Sequence, residues 1–298
     1  MIFDNAQNEK SLEGLLPKSG GHILITSRSS TWDKTQTEVF GIEVFKREES
    51  IDLILKVTSL YNQEKEADAL AEQLQDLPLA IAQAAAYIRE TKISIQKYIE
   101  NFQRVHKALW EREKSTNNYE FTVNVTWNIS MDKIQEQEKQ DAIVLQPIAL
   151  PLMQVCSFFA PNDIPREALL LKWLDIEYEK AKLDKNACLA DLNRTLGLLR
   201  QFSMIGLSEA SISIQALVQT IERDKLSVEV QQQIYGQALE AITLQIKMFS
   251  RDDFATWSQP KLCTPHAWSL FEREDLIEAV TLENQCVFMI GLGNLGIY

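Results

Sequence analysis

The chain has 298 residues, enough for two or three small domains with cores of their own. A formal net charge of −12 argues against a nucleic-acid partner, because binding to a phosphate backbone is chiefly electrostatic. With only 10 glycines and 8 prolines, long helices are expected rather than turn-rich β architecture.

Residues 1–46 form the only stretch of α/β character. Met1-Ile2-Phe3-Asp4-Asn5 reads as a short buried strand that ends in an acid. Residues 11–17 read as a short helix stopped by Pro17, and Gly20-Gly21 turns the chain into a second apolar strand. That strand, His22-Ile23-Leu24-Ile25, delivers Thr26, Ser27 and Arg28. Two such strands, each ending in polar groups, are expected side by side in a parallel sheet. Residues 38–45 alternate weakly and are a third strand candidate.

From residue 46 onward helical spacing dominates. Ile51, Ile54, Leu55 and Thr58 share one side of a helix over 46–61, and Ala67, Leu70, Ala71 and Leu74 one side of another over 64–75. Pro78 suits the first turn of the next helix, 78–90, where no amide hydrogen is needed. Alanines at 80, 82, 84, 85 and 86 let that helix approach a neighbour or a ligand closely. Ser94 is expected to cap a helix running towards Trp110, and the polar residues 111–118 read as a linker.

A second series begins with a helix through Trp127, Ile129 and Met131. A very apolar helical stretch follows over 142–159, which Pro147 and Pro151 should kink or break. Residues 161–165 make a turn into a helix starting at Arg166. Leu192, Leu196 and Leu199 mark the buried face of a helix over 190–202. Residues 203–207 and 211–214 form a two-stranded wing ahead of a helix at Gln215, the pattern of a winged helix-turn-helix. Helices over about 228–248 and 260–273 lead into a largely apolar segment, 276–298.

Cys156, Cys188, Cys263 and Cys286 are widely spaced, which favours free thiols in a reducing compartment. The histidines His22, His106 and His266 are equally scattered and show no metal-site spacing. The longest apolar run, near 148–160, is too short to span a bilayer, so a cytoplasmic protein without membrane contact is expected. Gly291-Leu292-Gly293-Asn294-Leu295-Gly296 spells a dinucleotide fingerprint, but no acidic residue follows it, so the match is discounted.

Taken in order, these segments resemble the NB-ARC class of signal-transduction ATPases (the STAND group). They are similar in particular to its bacterial branch, which carries C-terminal tetratricopeptide repeats. The first strand resembles the family's Walker B strand, and Ile23-Leu24-Ile25-Thr26-Ser27-Arg28 its sensor strand. Leu77-Pro78-Leu79-Ala80 resembles the Gly-Leu-Pro-Leu-Ala motif, with Asp76 in place of the glycine. Thr122-Val123-Asn124-Val125-Thr126-Trp127, Phe159-Ala160-Pro161 and Ile164-Pro165 are similar to the family's winged-helix part. Thr264-Pro265-His266-Ala267 resembles a segment that precedes the repeats, and Asn294-Leu295-Gly296-Ile297-Tyr298 the start of a tetratricopeptide unit.

The resemblance implies a mostly α fold: a small parallel α/β remnant of a P-loop domain at 1–46, a helical ARC subdomain at 47–112, a winged-helix domain at 119–226 and a helical connector at 227–298. It implies ADP or ATP with magnesium as the cofactor of intact relatives. Asp4 would be the Walker B carboxylate acting on magnesium, or else an ordinary terminal acid. Arg28 would sense the terminal phosphate, or else be a solvated arginine after a strand. Pro78 would pack against the adenine, or simply start a helix. Gln215 stands where the family has a histidine that reaches the diphosphate; glutamine donates a hydrogen bond without the imidazole's charge.

No G-x-x-x-x-G-K-[ST] loop occurs in the chain. A portion of an ADP/ATP-dependent regulatory switch is therefore expected, one that does not hydrolyse ATP without its P-loop and has no catalytic residue of its own. Another reading is a nucleotide-free helical scaffold that binds protein partners, or itself, through its helical surfaces.

Overall fold

A computed structural model describes residues 1–3, 6, 8–17, 20–27, 32, 38–113, 118–141, 146–247, 258–273 and 276. The chain divides into two compact units, 1–44 and 45–298. The expectations placed on Gly291-Leu292-Gly293-Asn294-Leu295-Gly296 and on the tetratricopeptide-like end of the chain lie outside the described residues.

In the first unit β1 (Ile2–Phe3) and β2 (Leu24–Ile25) pair in parallel, Ile2 opposite Leu24 and Phe3 opposite Ile25. The Leu24 N–H donates to the Met1 carbonyl at 3.0 Å and the Thr26 N–H to that of Phe3 at 2.9 Å. The parallel pairing expected from the two apolar runs is therefore present, but their burial is not. Ile2 is 72% and Leu24 61% exposed, because a parallel sheet is buried only when layers cover both its faces. The third strand expected over 38–45 is absent: those residues have no regular secondary structure and enter no ladder, and Phe40 and Ile42 are 77% and 97% exposed. Alternation without a partner edge does not make a strand. The helix expected over 11–17 is instead a 3₁₀ turn at Glu9–Leu12, capped by the Asn8 side chain.

The second unit is helical from its start. α1 (Arg47–Thr58), α2 (Glu64–Gln73), α3 (Pro78–Thr91) and α4 (Ile95–Glu113) follow the expected spacing closely. Pro78 occupies the first turn of α3, and the Ser94 hydroxyl accepts the Lys97 N–H at 3.2 Å ahead of α4. Ala80, Ala84, Ala85 and Ala86 are buried with Ile81 and Ile88; their small side chains let α3 lie between α1 and α5. α5 (Asn118–Gln140) buries Val123, Trp127 and Ile134. It packs against α3, α4, α6, α8 and α9.

α6 (Ala149–Cys156) departs from expectation. Pro151 does not break it, because the proline sits in the first turn, where a missing N–H leaves nothing unsatisfied. Then β3 (Ile164–Pro165), read from sequence as a turn, pairs antiparallel with β5 (Ser211–Ser213), Ile164 opposite Ile212. β5 also pairs with β4 (Gly206–Leu207), so the sheet order is β3-β5-β4 and Pro165 lies on an edge strand, where a missing N–H is tolerated. A π-helical turn, Arg166–Leu171, leads into α7 (Lys172–Lys180). α8 (Cys188–Gln201) buries Leu192, Leu196 and Leu199 as read, and a hairpin follows it where two strands are expected. α9 (Ala216–Asp224), α10 (Val228–Lys247) and α11 (Ser258–Phe271) complete the described helices.

Candidate functional site

Of the four residues singled out by the resemblance, Asp4 and Arg28 lie outside the described residues. Their described neighbours are held together: Thr26 N–H donates to Phe3, and the Ser27 hydroxyl to the Ala6 carbonyl at 2.7 Å.

Pro78 is half-buried at the head of α3, and the turn that presents it has unusual backbone geometry. Gln75 and Asp76 both have positive φ, 56° and 55°, a region where a Cβ costs about 1–2 kcal/mol and glycine nothing. That is a physical reason for a glycine before Leu-Pro-Leu-Ala, and a burden for the aspartate found here. Its carboxylate is gripped by Arg47 at the start of α1, with Nε to Oδ1 at 2.9 Å and Nη2 to Oδ2 at 3.0 Å. Arg47 also reaches Asp68 at 3.1 Å, and the Phe45 N–H donates to the Asp76 carbonyl at 3.0 Å. The guanidinium beside it holds the Asp76 carboxyl below its ordinary range, against the opposing effect of burial. Sequence reading missed this pair because 29 residues separate its partners.

The pair can be separated from the backbone strain by substitution. Asp76→Ala keeps the positive φ and loses the ion pair, and is expected to cost about 1–2 kcal/mol. Asp76→Gly loses the same pair but relieves the strain, and should stay within about 1 kcal/mol of the parent. Urea unfolding of both variants checks the ranking; equal losses would show that the conformation carries no strain.

Gln215 is exposed and sits immediately before α9, with no side-chain cap to that helix. Pro78 and Gln215 belong to helices that both rest on α5. α3 is fastened there by the Thr126 hydroxyl on Gln83 Oε1 at 2.7 Å, and α9 by Lys225 on Asn128 at 3.2 Å. No hydrogen bond joins Pro78 to Gln215 among the described residues.

The segments similar to family motifs prove to be packing devices. In Thr122-Val123-Asn124-Val125-Thr126-Trp127, Thr122 accepts from Gln75 Nε2 at 3.0 Å, Thr126 meets Gln83, and Trp127 is fully buried. Gln219, four residues after Gln215, is buried, and its amide donates to the carbonyls of Cys156 at 2.8 Å and Phe159 at 3.0 Å. Arg223 donates from Nη1 to the Ser157 carbonyl, and Ser269 of α11 to that of Phe158 at 3.1 Å. The chain leaving α6 thus has four consecutive carbonyls, 156 to 159, taken by side chains.

The opposite end of α6 is held by Glu138 of α5. Its buried carboxylate accepts from the amides of Ile148 and Ala149 at 3.3 and 3.1 Å and from the Thr195 hydroxyl at 2.7 Å. Burial pushes that carboxyl up from its ordinary range, and the three donors only partly offset this. His266, in the stretch that resembles the family's pre-repeat segment, is buried against Phe159 with Nε2 3.2 Å from the Asp163 carbonyl. Desolvation holds it neutral, with its pKa pushed down to about 4.

Among the described residues no group of three or more His, Cys, Asp or Glu is placed to hold a metal ion. Among them no helix is long and apolar enough to cross a membrane. No family model matches the chain. Over 185 residues, 55% of its length, it is 33% identical to a protein of Hyaloscypha variabilis named "Nucleotide-binding leucine-rich repeat (NLR)-like protein". The aligned region covers 17% of that relative's own length.

Proposed function

We propose that the chain is a portion of a nucleotide-dependent regulatory switch of the NB-ARC/STAND type, working in signalling or protein assembly. The observation that carries this reading is its 33% identity to a nucleotide-binding, NLR-like protein. The parallel β1–β2 pair and the positive-φ turn ahead of Pro78, where the family pattern has glycine, support it.

In this reading 1–46 is the end of the nucleotide domain, with α1–α4 the ARC subdomain. Residues 119–226 with the β3-β5-β4 sheet form a winged helix, and 227–298 is a connector towards repeats. Pro78 and Gln215 would contact ADP or ATP, with Arg28 on the phosphates and Asp4 on magnesium. Protein partners or self-association through helical surfaces would form the output, without nucleic acid, and in the cytoplasm. Nucleotide acts by population shift: a ligand moves the equilibrium only by as much as it prefers one arrangement.

The fit of a nucleotide to the described residues is partial. Pro78 offers a half-buried face, and Gln215 an exposed side chain able to donate one hydrogen bond. The Asp76–Arg47 pair already ties the adenine-side turn to α1 without any ligand. This favours, as a second reading, a nucleotide-free helical scaffold that binds protein partners.

Thermal unfolding with ADP and magnesium separates the two. At ligand concentrations near 100 Kd the switch reading expects about 2.7 kcal/mol of added stability. No change up to millimolar ADP with magnesium would leave the scaffold.

A further inference from the structure

A groove opens where the π-helical turn at Arg166–Leu171, α8, the turn between β4 and β5, and α11 meet. Its volume is about 520 Å³, inside the ~300–1,000 Å³ usual for ligand cavities. The floor is apolar, with Pro165 and Leu192 both buried. Leu189 of α8 and Leu262 of α11 stand on its walls, 51% and 54% exposed. A hollow flanked by two such leucines holds water against apolar surface that a partner would cover.

The walls are fixed before anything binds. The Arg166 guanidinium donates from Nη1 to the Glu209 carbonyl at 2.7 Å and from Nη2 to Asn193 Oδ1 at 2.5 Å. The Arg166 N–H donates to the Ala210 carbonyl at 2.9 Å. One residue thus ties the π-helical turn to α8 and to the hairpin turn. On the α11 side His266, one helical turn beyond Leu262, rests on the Asp163 carbonyl at 3.2 Å. A groove already ordered loses little entropy when a partner enters it.

The charges in the lining differ in availability. Glu167 and Glu209 are exposed, and neither carboxylate has a hydrogen-bond or ion-pair partner among the described residues. Arg166, the cation among the lining residues, is engaged with the acceptors just named, and its Nε is sealed from solvent. Two carboxylates and one guanidinium leave the lining with one net negative charge, on a chain of formal net charge −12. Just outside it, Arg194 is paired with Asp141 and Asp191, and Asp163 adds an acid beside Ser211. Such a rim attracts basic groups and repels acidic ones.

We propose that this groove docks a basic amphipathic helix of a protein partner, its apolar residues against Leu189 and Leu262 and its lysines or arginines facing Glu167 and Glu209. A helix suits walls that are themselves helices, each offering a leucine to the apolar positions of a third. Addition of a strand is disfavoured, because the sheet edges β3 and β4 are two residues long. The inference rests on the protein partners proposed above and not on nucleotide.

Fluorescence anisotropy tests it, with the full chain titrated into a labelled helical model peptide of leucine and lysine in amphipathic order. The same peptide with glutamate for lysine should bind about tenfold or more weakly. Leu189→Ser combined with Leu262→Ser should weaken the leucine–lysine peptide about tenfold or more. Glu167→Gln combined with Glu209→Gln should weaken it about threefold or more and flatten its salt dependence. Removing two exposed acids of α1, by Glu48→Gln with Asp52→Asn, should change nothing. All six positions are exposed, so the variants should unfold at the parent's temperature. No binding, equal affinity for both peptides, or equal losses from the α1 and groove acids would overturn the proposal. Binding that survives the leucine pair would place the partner surface elsewhere and also overturn it. A dimer seen in sedimentation and dissolved by the leucine pair would do the same, with a second copy as the occupant. The ADP–magnesium unfolding experiment reads nucleotide alone, so either result stands without the other.

Discussion

Replacing Glu138 with alanine is expected to destabilise the protein by about 3–5 kcal/mol, among the largest effects of any single change outside the apolar core. The carboxylate serves two amides at the head of α6 and the Thr195 hydroxyl, all buried. Removing it strands three donors at about 1–3 kcal/mol each, partly relieved by local relaxation. Glu138→Gln keeps an acceptor oxygen and should lose only about 1–2 kcal/mol at neutral pH.

The pair also has a distinctive pH signature. A carboxyl whose folded pKa is raised binds its proton more tightly when folded, so it contributes most at low pH. The parent should therefore lose stability relative to Glu138→Gln as pH climbs from about 4.3, the unfolded value, to the raised folded value, and then level off. Urea midpoints of both proteins between pH 4 and 8 read this directly. A parent that gained on the glutamine variant across that range would show the carboxylate to be stabilised by its donors rather than burdened by burial.

The second large effect belongs to Gln219. Its amide nitrogen donates to Cys156 and Phe159 from a side chain that is 4% exposed. Gln219→Ala leaves both carbonyls unpaired beside a small void, and is expected to cost about 2–4 kcal/mol. Gln219→Glu should be worse than alanine, because an ionised carboxylate cannot donate and faces two carbonyl oxygens. Denaturant midpoints rank the two; a glutamate variant as stable as the parent would mean the amide does not donate in that place.

These expectations show where one-dimensional reading works and where it stops. α1 to α4 were visible because apolar residues recur every three or four positions and Pro78 and Ser94 mark helix starts by local chemistry. Residues 38–45 misled because alternation states only which side chains could share a face, while a strand also needs an edge to bond. β3 escaped notice for the converse reason: two residues, one a proline, carry no period, and pairing with Ile212 is decided 48 residues away. Pro151 read as a breaker because its distance from the helix start was unknown.

The candidate site was legible only as isolated segments. Asp4 and Arg28 fall outside the described residues, and Pro78 and Gln215 each occupy the helix-start position that their neighbours indicate. The contacts that organise the region were not visible. Arg47 to Asp76, Glu138 to Thr195 and Gln219 to Cys156 span 29, 57 and 63 residues, and nothing local announces them.

One more consequence comes from α5. It is a single uninterrupted rod of 23 residues that packs against α3, α4, α6, α8 and α9. A rod in that place gives the helices packed on it no elbow to turn about. A rearrangement that parts α5 from the helices packed on it exposes Trp127 or its neighbours to water. Such a transition would be abrupt rather than graded, and fluorescence from that indole would report it.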